Sequence, residues 1–166
     1  MASSRKTLDL GLLALRTAIG GTLAYHGAQK LFGWFGGPGL EATAQGFEAM
    51  GFTPGKESAA LAGAGELAGG LLVAGAATPL ASAGVVGAMV GAVSVHKPNG
   101  FSTQAGGYEY PAVLGATAAA LALTGPGRYS VDALLGNRLN RGWQAGLALA
   151  GAAATSGYLV SRRAQA

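Results

Sequence analysis

Three stretches of the chain, residues 67–95, 110–127 and 142–161, contain no Asp, Glu, Lys or Arg, and each is rich in Ala, Gly, Leu and Val. Runs of this kind approach the roughly 20 apolar residues that carry a helix across the ~30 Å hydrocarbon core of a bilayer. Composition agrees: 11% of the 166 residues are charged and the mean hydropathy is +0.36, whereas an average soluble domain is about 25% charged. An ordinary cytosolic enzyme is excluded. The absence of Cys removes disulfides, thiol nucleophiles and Cys-held metal centres from the chain's own chemistry. The net charge of +4 would suit nucleic acid, but the Lys and Arg residues are scattered rather than gathered into a stripe, so no nucleic-acid partner is expected.

Five helical segments are expected. The first covers 10–30 and contains Arg16 and His26. A signal peptide competes, since Arg5 and Lys6 precede Leu12-Leu13-Ala14-Leu15, but Arg16 cuts that apolar core short and no small-x-small cleavage site follows. Within 67–95, Pro79 cannot continue an interior helix, which predicts a hairpin of 58–77 and 80–96 with Glu66 inside the first arm. A turn-rich stretch, Lys97-Pro98-Asn99-Gly100 to Gly106-Gly107, leads to a fourth segment over 108–124, with Pro111 in its first turn. The fifth, 143–160, has Trp143 and Tyr158 as interfacial aromatics and Arg162-Arg163 as a basic end. Between the first two segments, Leu40, Ala44, Phe47 and Met50 share one helical face and Glu41, Gln45 and Glu48 another. A short interfacial helix is expected there, either a plain cover over the bundle mouth or a functional lid.

Orientation depends on the fifth segment. With five spans and the N-terminus inside, Arg5, Lys6, Arg128, Arg138 and Arg141 lie inside and Lys30, Lys56, Lys97, Arg162 and Arg163 outside, which decides nothing. With four spans and 143–160 along the surface, the tally of the same residues becomes seven against three in favour of the N-terminus inside. The expected fold is therefore all-α: an integral membrane antiparallel four-helix bundle over 1–135, followed by an extension over 136–166 carrying a further helix.

Small residues are expected at the helix seams, where close backbone approach replaces the hydrophobic driving force that lipid removes. Gly65/Gly69, Gly87/Gly91 and Gly142/Gly146 are spaced one turn apart for this. A nucleotide loop is not supported, because no Gly-rich turn joins a strand pattern to a helix with a following Lys-Ser/Thr.

Charges at bilayer depth cost at least about 2.5–3.5 kcal/mol each, so they face the bundle interior and find partners. Here they are Arg16, His26, Lys30, Glu66, His96 and Glu109. At about 1.5 Å rise per residue, His26 sits roughly 6 Å below the outer end of the bundle, Glu66 roughly 12 Å and Arg16 roughly 21 Å. The expected site is a polar cleft opening outward, with Glu66 as its deepest acid and Lys30, His26, His96 and Glu109 around it. The alternative is that Glu66 pairs with Arg16 or His26 only to fix helix register, while Lys30, His96 and Glu109 snorkel to the interface. Metal or haem ligation by the histidines and glutamates is a weaker reading, because no local metal-ligand spacing is present.

Four motifs in order then resemble the DoxX family of small bacterial membrane proteins: Leu15-Arg16 with Tyr25-His26-Gly27-Ala28-Gln29-Lys30-Leu31-Phe32-Gly33; Gly65-Glu66-Leu67-Ala68-Gly69-Gly70-Leu71-Leu72; Gly107-Tyr108-Glu109-Tyr110-Pro111; and Leu123-Thr124-Gly125-Pro126-Gly127-Arg128-Tyr129-Ser130-Val131-Asp132. The resemblance implies a four-helix membrane protein of the bacterial cytoplasmic membrane and an association with redox chemistry, since relatives include subunits of quinone-linked sulfur-oxidising enzymes. The function expected is an oxidoreductase subunit of a membrane redox complex, with soluble or membrane redox proteins as partners. A quinone or small oxidisable ligand would occupy the cleft. Glu66 and His26 would exchange protons, and Arg16, Lys30, His96 and Glu109 would bind the ligand. The competing expectation is a non-enzymatic membrane scaffold or assembly factor; a small-solute transporter lacks the paired broken helices it would need.

Overall fold

The computed structural model describes residues 2–163, with the side chains of Ala2 and Ser3 left aside. All regular structure among them is helical. The elements are α1 (Ala2–Phe32), a 3-10 turn (Trp34–Gly36), α2 (Gly39–Ala49), α3 (Gly55–Leu67), α4 (Gly69–Ala74), α5 (Thr78–His96), α6 (Glu109–Thr124), α7 (Val131–Leu134) and α8 (Gly142–Ser161), with short 3-10 turns at Lys97–Asn99 and Thr103–Ala105.

The expected helices are present, with changed ends. The first begins near the N-terminus rather than at residue 10, and the segment expected as one helix over 58–77 starts earlier and breaks at Ala68. There the Ala68 carbonyl accepts from both the Leu71 amide at 3.0 Å and the Leu72 amide at 3.3 Å, a tight i to i+3 turn beside the helical spacing. Two glycines, Gly69 and Gly70, follow the break, and Gly69 abuts the Gly20 carbonyl of α1, where an added Cβ would meet that oxygen at 2.5 Å. The helix bends where the close approach happens.

Cross-contacts fix the directions. Lys30 meets Glu66 near one end, and Arg16 meets the Val73 carbonyl near the other, so α1 runs antiparallel to α3–α4. Gly65 meets Ala88 while Gly84 meets Ala68, so α5 runs antiparallel to α3. His96 at its end touches Gly106 before α6 and Thr78 at its start touches Asp132 after α6, so α5 is antiparallel to α6 as well. The C-terminal α8 lies along α5 and runs the same way: Ser156 Oγ donates to the Gly87 carbonyl at 3.1 Å, and beyond the helix Arg163 Nη1 donates to the Ser94 carbonyl at 2.9 Å. The segment expected over 143–160 is thus a helix packed on α5.

The core at the centre is thin. Leu23, Leu72, Ala81, Val85, Met89, Leu114, Ala118 and Leu121 form its buried cluster, while Leu80, Leu123, Leu134, Leu147 and Val113 point outward and are well exposed. Close approach between glycines does much of the packing: at Gly27 an added Cβ would meet the Gly63 carbonyl at 2.7 Å and Leu67 Cα at 2.8 Å. Of the expected seams only Gly65/Gly69 is used fully. Gly87 meets Ser156 Oγ, whereas Gly91, Gly142 and Gly146 face open space. Among the described residues one helical stretch, Thr78–Asn99, passes as a membrane span on length and apolarity alone, with a mean hydropathy of 1.6.

Candidate functional site

The charged residues separate into two clusters, one near each end of the bundle. At the end formed by the C-termini of α1 and α5, Lys30 Nζ donates to Glu66 Oε2 at 2.6 Å. The side chains are 28% and 10% exposed, so the pair is desolvated enough for its charge-assisted hydrogen bond to be short and strong. The partner of Glu66 is therefore Lys30, not Arg16 or His26. Lys30 shares a helical face with buried Leu23, seven residues earlier, and its own backbone carbonyl accepts from Thr43 Oγ1 of α2 at 3.3 Å.

This pair lines a cavity of about 930 Å³, the upper end of the range for ligand sites. His26 and His96 line it as well. His26 Nδ1 lies 3.2 Å from Gln29 Oε1, and its ring stands edge-on to Tyr25 at 5.5 Å. His96 Nδ1 lies 2.8 Å from the Gly106 carbonyl, which ties the end of α5 to the following loop. Phe47 and Met50 bring α2 and its C-terminal turn into the wall. The rest is mainly apolar, contributed by α3, α4, α5, α6 and α8. Cationic, acidic and imidazole groups thus head an otherwise greasy space.

Two expected site residues lie elsewhere. Glu109 does not line the cavity; its carboxylate accepts from the Thr103 amide at 3.1 Å and braces the loop before α6. Arg16, 1% exposed, belongs to the opposite end. Its guanidinium donates to the Val73 carbonyl at 3.1 Å and to the Tyr129 carbonyl. Its depth below the mouth keeps it from the cleft, and two backbone carbonyls hold it there.

The acid that sequence reading did not place is Asp132, which is completely buried. Its carboxylate accepts from the Ala77 amide at 2.8 Å, the Thr78 amide at 2.9 Å and Thr78 Oγ1 at 2.7 Å. It caps the N-terminus of α5 from a distant part of the chain and places a negative charge near Arg16. The Asp132 amide in turn donates to the Gly75 carbonyl at 2.9 Å. Gly75 has a φ of 64°, and the Arg16 guanidinium occupies the space where its Cβ would be. Ser130-Val131-Asp132 stood among the motifs, but outside every expected span. The usable signal was Arg16 itself, a deep cation that required an acid.

Buried Arg16, Glu66 and Asp132 in an all-helical chain place charged groups inside the bundle, as intramembrane ionisable residues are placed. The particular family follows from comparison. The family model described as DoxX matches residues 11–98, more than half of the chain, and the chain belongs to the DoxX family. The match takes in α1 to α5 with Arg16, His26, Lys30, Glu66 and His96, and ends before Glu109. No curated protein and no solved structure matches it.

Proposed function

We propose that this DoxX protein is a multi-pass subunit of a redox complex in a bacterial cytoplasmic membrane, and that its cavity binds a quinone with the ring at the Lys30–Glu66 end. The observation that carries this reading is the ion pair itself, set at the head of a largely apolar space of about 930 Å³. A quinone has the matching shape: carbonyl oxygens that accept hydrogen bonds at one end, and an apolar tail.

In this reading the Lys30 ammonium donates to one ring carbonyl. His26 and His96 face the ring's surroundings, and Glu66 and His26 exchange the protons that accompany reduction to quinol. The chain contains no Cys, and the electrons are taken to come from a partner redox protein. Arg16 and Glu109 leave the ligand set: Arg16 joins Asp132 in locking the far end, and Glu109 positions a loop.

Solvent extraction of the full chain purified in mild detergent, followed by mass spectrometry of the extract, tests the proposal. A co-purifying quinone at near-stoichiometric amount is expected. An extract with no quinone, from protein that also fails to take up added quinone, overturns it.

A further inference from the structure

Past the C-terminal end of α8 a second crevice of about 300 Å³ opens between that helix and the α2–α3 connection. Thr53, Pro54 and Tyr158 line it together with Arg162 and Arg163, and no acidic side chain does. Phe52, Ser58 and Leu159 line both this crevice and the large cavity, so the two adjoin.

The Arg163 guanidinium is fixed. Its Nε donates to the Met50 carbonyl at 2.7 Å, its Nη1 donates to the Ser94 carbonyl at 2.9 Å, and its Cζ lies 5.3 Å from the Phe52 ring centre. These contacts orient the charge without neutralising it. Arg162 reaches the Tyr158 hydroxyl at 3.2 Å. Among the described residues neither arginine has a carboxylate partner.

Away from this charged end, the large cavity is bounded by exposed leucines. Leu61, Leu71, Leu80 and Leu147 all line it and all are exposed, so it opens sideways between α3–α4 and α8, over a floor made by α5. Gly91 lies on that floor with open space beside it. A fixed positive pair at a helix end therefore adjoins a lateral apolar groove.

The geometry points to a bound anionic phospholipid, its phosphate between Arg162 and Arg163 and one acyl chain along the groove beside α8. A phosphodiester accepts several charge-assisted hydrogen bonds from guanidinium groups, and basic pockets between membrane helices suit anionic headgroups. Tyr158, in the crevice wall, is an aromatic of the kind that sits at headgroup level. A zwitterionic lipid is disfavoured, because its own cation would meet two arginines. The site uses none of Lys30, Glu66, His26 or His96. It rests on the bilayer placement proposed above and not on quinone binding, although the acyl chain and a quinone tail would share the large cavity.

Native mass spectrometry of the full chain released from detergent micelles tests this, with phosphatidylglycerol, phosphatidylcholine or inorganic phosphate added. Wild type is expected to retain one phosphatidylglycerol, with at least fivefold less phosphatidylcholine and no phosphate adduct. Arg162→Gln, which loses one charge and a single side-chain contact, is expected to cut retention at least fivefold. Gly91→Leu, which leaves both arginines and fills the groove, is expected to do the same, so a folding failure of one variant leaves the other to decide. Equal retention of the two lipids, or unchanged retention in both variants, overturns the site. A phosphate adduct that displaces the lipid overturns it in favour of a soluble anion. Protein that stays dispersed without detergent overturns the bilayer placement instead.

Discussion

Lys30 and Glu66, thirty-six positions apart in sequence, meet at 2.6 Å across the α1–α3 interface, and nearly all of the Glu66 side chain is withdrawn from solvent. Removing one member leaves the other charged, desolvated and unpaired. Glu66→Gln and Lys30→Met are each expected to destabilise the fold by about 1–3 kcal/mol, the usual loss for a hydrogen bond to a charged group. The double variant should recover part of this. Chemical denaturation in detergent across the double-mutant cycle measures the coupling, and strictly additive losses would mean that the pair contributes nothing as a pair.

At the opposite end, Asp132→Ala is expected to cost about 3–5 kcal/mol. It removes three hydrogen bonds to a buried carboxylate at the start of α5. Thermal unfolding monitored by circular dichroism reads this. Arg16→Gln should likewise lower stability while leaving ligand affinity at the Lys30–Glu66 end within about twofold. A large loss of affinity in protein that remains folded would return Arg16 to the ligand set.

Glycines of similar sequence context should respond in opposite ways. Gly27→Val drives side-chain atoms into the backbone of α3 and is expected to prevent assembly of folded protein. Gly142→Ala faces open space and should be neutral, or stabilising by up to about 1 kcal/mol through helix propensity. Expression and unfolding midpoints of the two variants give the comparison.

Much of this architecture is legible from one sequence, because charge-free runs and Pro79 mark the helices with little ambiguity. The break at Ala68 was not legible: it depends on Gly69 meeting Gly20, a contact between segments that periodicity does not encode. The candidate site was legible in part. Depth arithmetic along straight helices grouped His26 and Glu66 and set Arg16 lower, but it treated side chains as points and so missed that Lys30 reaches inward to Glu66. Asp132 was invisible for a different reason, since its role is to cap a helix whose start lies 54 residues earlier. Glu109 satisfied the rule for an acid at a helix N-terminus, and the structure uses it locally.

The direction of α8 gives a prediction about topology. Because the chain has no Cys, single-cysteine variants at Ser102, Asn137 and Ser161 report one site each. A membrane-impermeant maleimide applied to sealed vesicles should label Ser102→Cys and Ser161→Cys from one side and Asn137→Cys from the other. Labelling of the Asn137 and Ser161 positions from the same side would mean that α8 does not cross.

The Lys30–Glu66 end of the cavity is proposed to bind a quinone ring. Calorimetric titration of a short-chain quinone into the purified full chain, beside folded Glu66→Gln and Lys30→Met variants, measures this most directly. Saturable binding by the wild type at a single site, weakened at least tenfold in both variants, is the predicted result. No saturable binding by the wild type, or the same affinity in all three proteins, would contradict it.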